Sequence, residues 1–303
     1  MIQLVSLLSA LLLLSTGWPI WQFWRASRPT ALRSTCGWTM AAFAGLLGVA
    51  VLSIAEPRPG AWFGLGLARL LAAGLMLTPL VAVLGARWPG AAAWNLVVVT
   101  LLIVFALPVL EQWLLGKKLE SDRFGLDAPR FVFFAIVAAT GVVNYLPTRF
   151  GAAAALFASA LAAQAISVGP WTIDARSVVF VSSLAGLLAS ASAWTALLLG
   201  PKREPAGIES AWHRLRDGWG LVWAVRFRDR WNDAASHYGS PLRLGWSDLE
   251  RVAVPPDTTE AVGGSTDETD STAAAEAQFR FLIERFVQPD AWLGPAADPT
   301  REK

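Results

Sequence analysis

Seven stretches of this chain, about 2–24, 37–55, 62–85, 92–114, 130–146, 149–168 and 177–199, are nearly free of charge and about as long as a bilayer is thick. A hydrocarbon core of about 30 Å needs roughly 20 apolar residues in a helix rising ~1.5 Å per residue. Lipid offers no hydrogen bonds to an open backbone, so each stretch must be helical. The reading is an all-α fold: a multi-pass transmembrane helix bundle of about seven spans over 1–200, followed by a small helical soluble C-terminal region. Only Leu146-Pro147-Thr148-Arg149 separates the fifth and sixth stretches, so a tight hairpin or a re-entrant pair is the alternative there. The first stretch begins Met1-Ile2-Gln3 without basic residues and runs to Trp24 without a small-residue cleavage pattern; it is read as a retained span. Trp18, Trp21, Trp24, Trp38, Trp62, Trp88, Trp113 and Trp171 lie near the expected ends, as an aromatic belt requires.

Charge separates the chain into two parts. Through Gly200 there are 12 Lys/Arg against 6 Asp/Glu; from Pro201 there are 13 against 17. The surplus positive charge therefore belongs to membrane loops, and a nucleic-acid partner is not expected. With the amino terminus outside, the inner side holds Arg25, Arg28, Arg33, Arg87, Arg149, Lys202, Arg203, Arg214 and Arg216. The outer side holds Arg58, Lys117, Lys118, Arg123, Arg130 and Arg176. Nine against six favours a cytoplasmic tail in the cell (inner) membrane.

The tail has three parts. In 201–252, Ile208, Trp212, Leu215, Trp219, Val222 and Trp223 recur at helical spacing, extended by Phe227, Trp231 and Tyr238, and Gly218 and Gly220 are expected to break the run into two helices. Arg214, Arg216, Arg226, Arg228 and Arg230 accompany these aromatics. Two arrangements suit this pattern: aromatics immersed in anionic lipid, or the core of a small helical domain with an arginine-bearing surface. Residues 253–272 are acidic and turn-rich and are expected to form a disordered linker. Residues 273–303 are read as a short amphipathic helix and tail, with Ala275, Phe279, Leu282, Ile283 and Phe286 on one face and Pro289 as the stop.

Little chemistry is written into the spans. Arg69 lies 19 residues before Trp88 and Glu111 lies 23 after it, so their α-carbons are expected at heights differing by about 6 Å. An intramembrane charge pair, Arg69 with Glu111, would spare either charge from lipid. Gly151, Ala155, Ser159, Ala163 and Ser167 recur every four residues in the sixth span, and Ser182, Gly186 and Ser190 in the seventh. Such rows are expected to pack helices closely inside the bundle. Gln164 is expected to make an interhelical hydrogen bond.

Both histidines, His213 and His237, are in the tail, and Cys36 is the only cysteine. That argues against intramembrane haem ligation, histidine-based metal chemistry and a histidine-dependent nucleophile. No catalytic motif, metal-ligand spacing or cofactor fingerprint is present, and neither a cofactor nor enzymatic activity is expected. The expected partners are the lipid bilayer and a protein bound through residues 201–303. The functional expectation is a membrane scaffold, assembly or sensory component presenting a cytoplasmic interaction module. The alternative is a transporter or channel with Arg69, Glu111, Asn144 and Gln164 along its path.

Overall fold

In the computed structural model, which describes residues 2–55, 63–88, 91–114, 125–200, 207–237, 240–252 and 268–293, the apolar stretches form eight helices. They are α1 (Ile2–Ser15), α2 (Gly17–Ala26), α3 (Arg33–Ala55), α4 (Phe63–Leu84), α5 (Ala91–Leu114), α6 (Ala128–Val143), α7 (Gly151–Val168) and α8 (Ala175–Leu198). Among the described residues, five segments are long and apolar enough to cross a bilayer: Ile2–Ala26, Arg33–Ala55, Gly64–Leu84, Gly151–Val168 and Ala175–Leu198. The fourth and fifth expected spans supply only shorter apolar helices, Ala93–Leu107 and Ala128–Val143. At ~1.5 Å per residue, the 16 residues of α6 reach about 24 Å, short of a full hydrocarbon core. Large apolar side chains cover the outside of the bundle, with Leu4, Leu96, Ile103 and Ile136 each more than half exposed. Such a surface is stable only in lipid, and the chain is an integral membrane protein.

The first stretch is broken, not continuous. Pro19 has no N–H to give the carbonyl of Ser15, and the Thr16 and Ser15 hydroxyls turn back to donate to the carbonyls of Leu13 and Leu12. The interruption is confined to Thr16, whose backbone stays helical, so Ile2–Ala26 still serves as one crossing segment. Pro79, inside α4, meets the same problem differently. Its missing donor leaves the carbonyl of Leu75, and the Thr78 hydroxyl donates to that oxygen at 2.7 Å, so the helix continues.

The small-residue rows have opposite fates. Ser182, Gly186 and Ser190 are buried on α8. A Cβ on Gly186 would run into the Ser9 hydroxyl of α1, and the Ser6 and Ser183 hydroxyls share a 2.9 Å hydrogen bond across the same contact. On α7 the expectation fails at two of the five positions: Ala163 is buried and Gly151 and Ser167 are half-buried, but Ala155 and Ser159 are exposed. Ser159 spends its hydroxyl on the carbonyl of Ala155. The buried face of α7 runs instead through Ala153, Ala160, Leu161 and Gln164, and the Ser192 hydroxyl of α8 donates to the Ala153 carbonyl at 2.7 Å.

Beyond the bundle, α9 (Ile208–Trp219), α10 (Leu221–His237), a hairpin of β1 (Leu242–Leu244) and β2 (Leu249–Arg251), α11 (Glu268–Ile283) and α12 (Asp290–Leu293) make a C-terminal module. The hairpin is antiparallel with Leu244 opposite Leu249, and the Asn232 amide holds it to α10 by bonding both the N–H and the carbonyl of Leu244. The tail aromatics form the module's core and do not lie on lipid. Trp212, Trp219 and Trp231 are fully buried, and Phe227 meets Phe279 edge-on at 5.1 Å. The expected face of α11 supplies the other half of this core through Ala275, Phe279 and Ile283, joined by Phe286 just past the end of the helix. Helix α11 begins at Glu268, so residues 268–272 of the expected linker are helical; 253–267 lie outside the described residues.

Candidate functional site

The connections 26–32, 85–88 and 144–150 gather at one end of the bundle, and the module sits on all three. The chain after α11 runs against the first two as an added strand would. Thr30 bridges Val287, the Ala31 N–H donates to Phe286 at 2.8 Å, Gln288 donates to Pro29 at 2.9 Å and Trp88 to Arg285 at 2.7 Å. Ala31 and Ala86 of the bundle are buried within the module's own apolar core. Indole N–H groups finish the seat at carbonyls in and just after the last turn of α4. Trp219 donates to Ala86 and Trp223 to Val83.

The third connection holds the module most tightly through Asn144. Asn144 follows α6 and is completely buried. Its amide nitrogen donates to the Trp219 carbonyl at 3.1 Å, its amide oxygen accepts the Val222 N–H at 2.9 Å, and its backbone carbonyl accepts the Leu221 N–H at 2.7 Å. It thus serves both the last turn of α9 and the first turn of α10, capping α10 from another part of the chain. Such an approach is possible because Gly220 stands between the two helices at φ +77°, with no side chain. Gly218 does not break the run; it lies inside α9, where Tyr145 donates its hydroxyl to the Gly218 carbonyl at 3.0 Å.

Beside this clamp lies a buried charge cluster. The Asp217 side chain is 1% exposed and faces Arg149 of the bundle at 3.1 Å and Arg216 of its own helix at 3.0 Å. Arg216 also donates to the carbonyl of Trp246, which ties the hairpin to the same point. A buried carboxylate between two guanidiniums is held by both, and removing any member leaves charge without compensation.

The residues selected from the sequence lie elsewhere. Glu111 does not show the expected pairing with Arg69: its carboxylate meets Arg130 at 3.1 Å, and Arg130 also meets Asp127 at 3.2 Å. The physical reason is the position of the helix ends. Glu111 is close to the end of α5, beside the start of α6 where Asp127 caps the helix and Arg130 sits in its first turn. Arg69 is only 7% exposed in the middle of the bundle, and its carbonyl accepts the Gln164 amide at 2.9 Å, the interhelical bond expected of Gln164. Exposed pairs such as Glu111–Arg130 contribute about 0–1 kcal/mol. Glu111→Gln is therefore expected to move the unfolding midpoint of purified protein very little, since Asp127 remains for Arg130. A loss above about 2 kcal/mol would return Glu111 to a buried role. Asp174, in the opposite-end loop 169–174, caps α8: it accepts the Ser177 N–H and hydroxyl, and those hydrogen bonds hold its carboxyl below the ordinary range.

A cavity of about 290 Å³ opens between α2, α3, α4, α6, α7 and α8 and reaches Asp217 and Gly218 of the module. Ile20, Phe23, Phe43, Leu80 and Phe157 line it, whereas Arg69, Glu111, Asn144 and Gln164 do not. Among the described residues no group of three or more His, Cys, Asp or Glu is arranged to hold a metal ion. His213 lies against the carbonyl of Ser247 within the module. Neither Asn144 nor Asp217 stands out in the sequence as a docking residue: each is one polar residue at a helix end. The only signal is the break at Gly220. No family model, curated protein or solved structure matches this chain.

Proposed function

We propose that the protein is a scaffold, assembly or sensory component of the cell (inner) membrane, with seven spans and a cytoplasmic C-terminal module that presents a rigid face to a protein partner. The observation that carries this reading is the module's fixed seat, bonded by backbone and side chain to three separate connections of the bundle. A platform held in this way transmits the position of the helices to whatever binds it. Phe281 supports the partner role: α11 buries its other face in the core yet leaves this ring 65% exposed. The orientation is supported by charge, since Arg28, Arg33, Arg87 and Arg149 belong to the end that carries the module. The span number is supported by alternation. Connections 26–32, 85–88 and 144–150 meet at the module end, and 125–127 meets 169–174 at the other, where Leu126 donates to Val168 at 2.6 Å and Phe131 packs on Trp171.

Two measurements test this. A reporter that works only in the cytoplasm is expected to be active when fused after Lys303 and silent when inserted at Thr172. The reverse pattern would overturn the orientation, and activity at both sites would overturn the path of α8. A photoreactive residue at Phe281 is expected to give a discrete protein adduct in cells, while one at lipid-facing Leu96 gives none. Lipid adducts alone at Phe281, together with solute flux in proteoliposomes that requires Gln164 or Arg69, would replace this reading with a transporter.

A further inference from the structure

A ring of helices, each in contact with the next, stands around the partly open cavity beneath the module: α3 with α4, α4 with α6, α6 with α7, α7 with α8 and α8 with α3. Helix α2 covers one side with Ile20 and Phe23, and the α9 end with Asp217 and Gly218 closes the loop end. Of the hydroxyls along the wall, that of Thr35 is buried without a hydrogen-bond partner, and the others are already engaged. The Thr39 hydroxyl donates to the Thr35 carbonyl, Tyr145 to the Gly218 carbonyl and Ser192 to the Ala153 carbonyl, while Asp217 is held between Arg149 and Arg216. A water held in so apolar a space needs two to four polar partners, and the one free hydroxyl of Thr35 falls short of that. A polar solute meets the same obstacle. An apolar occupant loses nothing there and gains the contacts of Phe23, Phe43, Leu80 and Phe157.

We propose that this cavity binds one acyl chain of a bilayer phospholipid. The source follows from the surroundings, because the ring is built from membrane-crossing helices whose outer faces are bathed in lipid chains. The size agrees: about 290 Å³ equals roughly ten waters at ~30 Å³ each, the bulk of a hydrocarbon segment on the order of ten carbons. Because the loop end of the cavity is made of Asp217, Gly218 and Tyr145, the chain touches the residues that seat the module. The site depends on the membrane placement of the bundle and not on the scaffold role, so either can fail alone.

The test uses the full-length protein in nanodiscs containing phosphatidylcholine with a diazirine near the end of one acyl chain. Photolysis and peptide mass spectrometry are expected to find label on wall residues such as Cys36, Thr39, Phe43 and Ala193, besides outward residues such as Leu96 and Ile103. Ala193→Phe, which fills the space, is expected to lower wall labelling about tenfold and leave outward labelling unchanged. Ala162→Phe, on the exposed side of α7, is expected to lower neither. If Ala193→Phe does not fold, as judged by a lost melting transition, the smaller filler Ala154→Leu serves the same comparison. Label confined to outward residues in the unaltered protein overturns the proposal, as does wall labelling that a folded filler leaves intact. Wall labelling by a diazirine fatty acid but not by the phospholipid overturns the assigned source.

Discussion

Replacing Gly220 with alanine is expected to release the C-terminal module from the bundle. Gly220 has φ +77° and ψ −172°, a region that side-chain-bearing residues almost never occupy and that costs about 1–3 kcal/mol to enforce. The added Cβ would also stand 2.6 Å from the backbone oxygen of Asn144 and closer still to its amide nitrogen. Those atoms cannot retreat cheaply, since they receive Leu221 and hold Trp219 and Val222. Strain and lost hydrogen bonds together predict a loss of about 3–5 kcal/mol at the seat. The readouts are a lowered melting transition and faster proteolytic release of residues beyond Gly207 from detergent-solubilised protein. Gly48→Ala is the matched control: it is helical, nothing lies within 4 Å of its would-be Cβ, and stability should hold or rise slightly. Equal behaviour of the two variants would mean that Asn144 and Gly220 do not form the clamp described.

The second large effect is expected at Asp217. Asp217→Ala removes the carboxylate that faces both Arg149 and Arg216, whose side chains are 25% and 14% exposed. Losing one partner of a buried pair costs about 3–5 kcal/mol, and the partial solvent access of the arginines lowers that to roughly 2–3. Breakage of a pair differs from its replacement. The double change Arg149→Met with Asp217→Leu is expected to recover the share of the loss that comes from stranding Arg149, while Arg216 keeps the Trp246 carbonyl but still lacks its carboxylate. High salt should leave the effect largely in place, since the carboxylate is shielded from bulk ions. Strictly additive losses in the double variant would show that the two side chains do not share one energy. A single-variant loss below about 0.5 kcal/mol would show that the carboxylate is solvated in the folded protein.

The sequence marked Gly220 only as a helix break and gave Asp217 no role, whereas the residues it singled out for the site had other fates. Gln164 does join two helices, Gly186 does admit α1 at close range, and Ser182 and Ser190 are buried beside it. Glu111 took a different partner, and Ala155 and Ser159 face outward. A four-residue period identifies a stripe on a helix but not the direction in which the stripe points. In α7 nearly every position is small or apolar, so several stripes compete and the neighbours decide. A charge pair inferred from heights along two ideal helices likewise depends on where those helices begin and on what stands beside their ends.

Sequence alone determined the features that follow from one segment and its solvent. Lipid requires every crossing backbone to satisfy its own hydrogen bonds, so long uncharged runs had to be helices. The apolar face of α11 was legible because a 3.6-residue period is a property of the helix itself. Tertiary structure alone decided that the tail aromatics turn inward against Phe279 and Phe286, that the module closes over loops 26–32 and 85–88, and that Asn144 meets Gly220. Asn144 lies 75 residues before the Trp219 carbonyl that it holds. A bond over that separation exists only after the intervening helices have packed, because packing alone brings the two chain ends to one place.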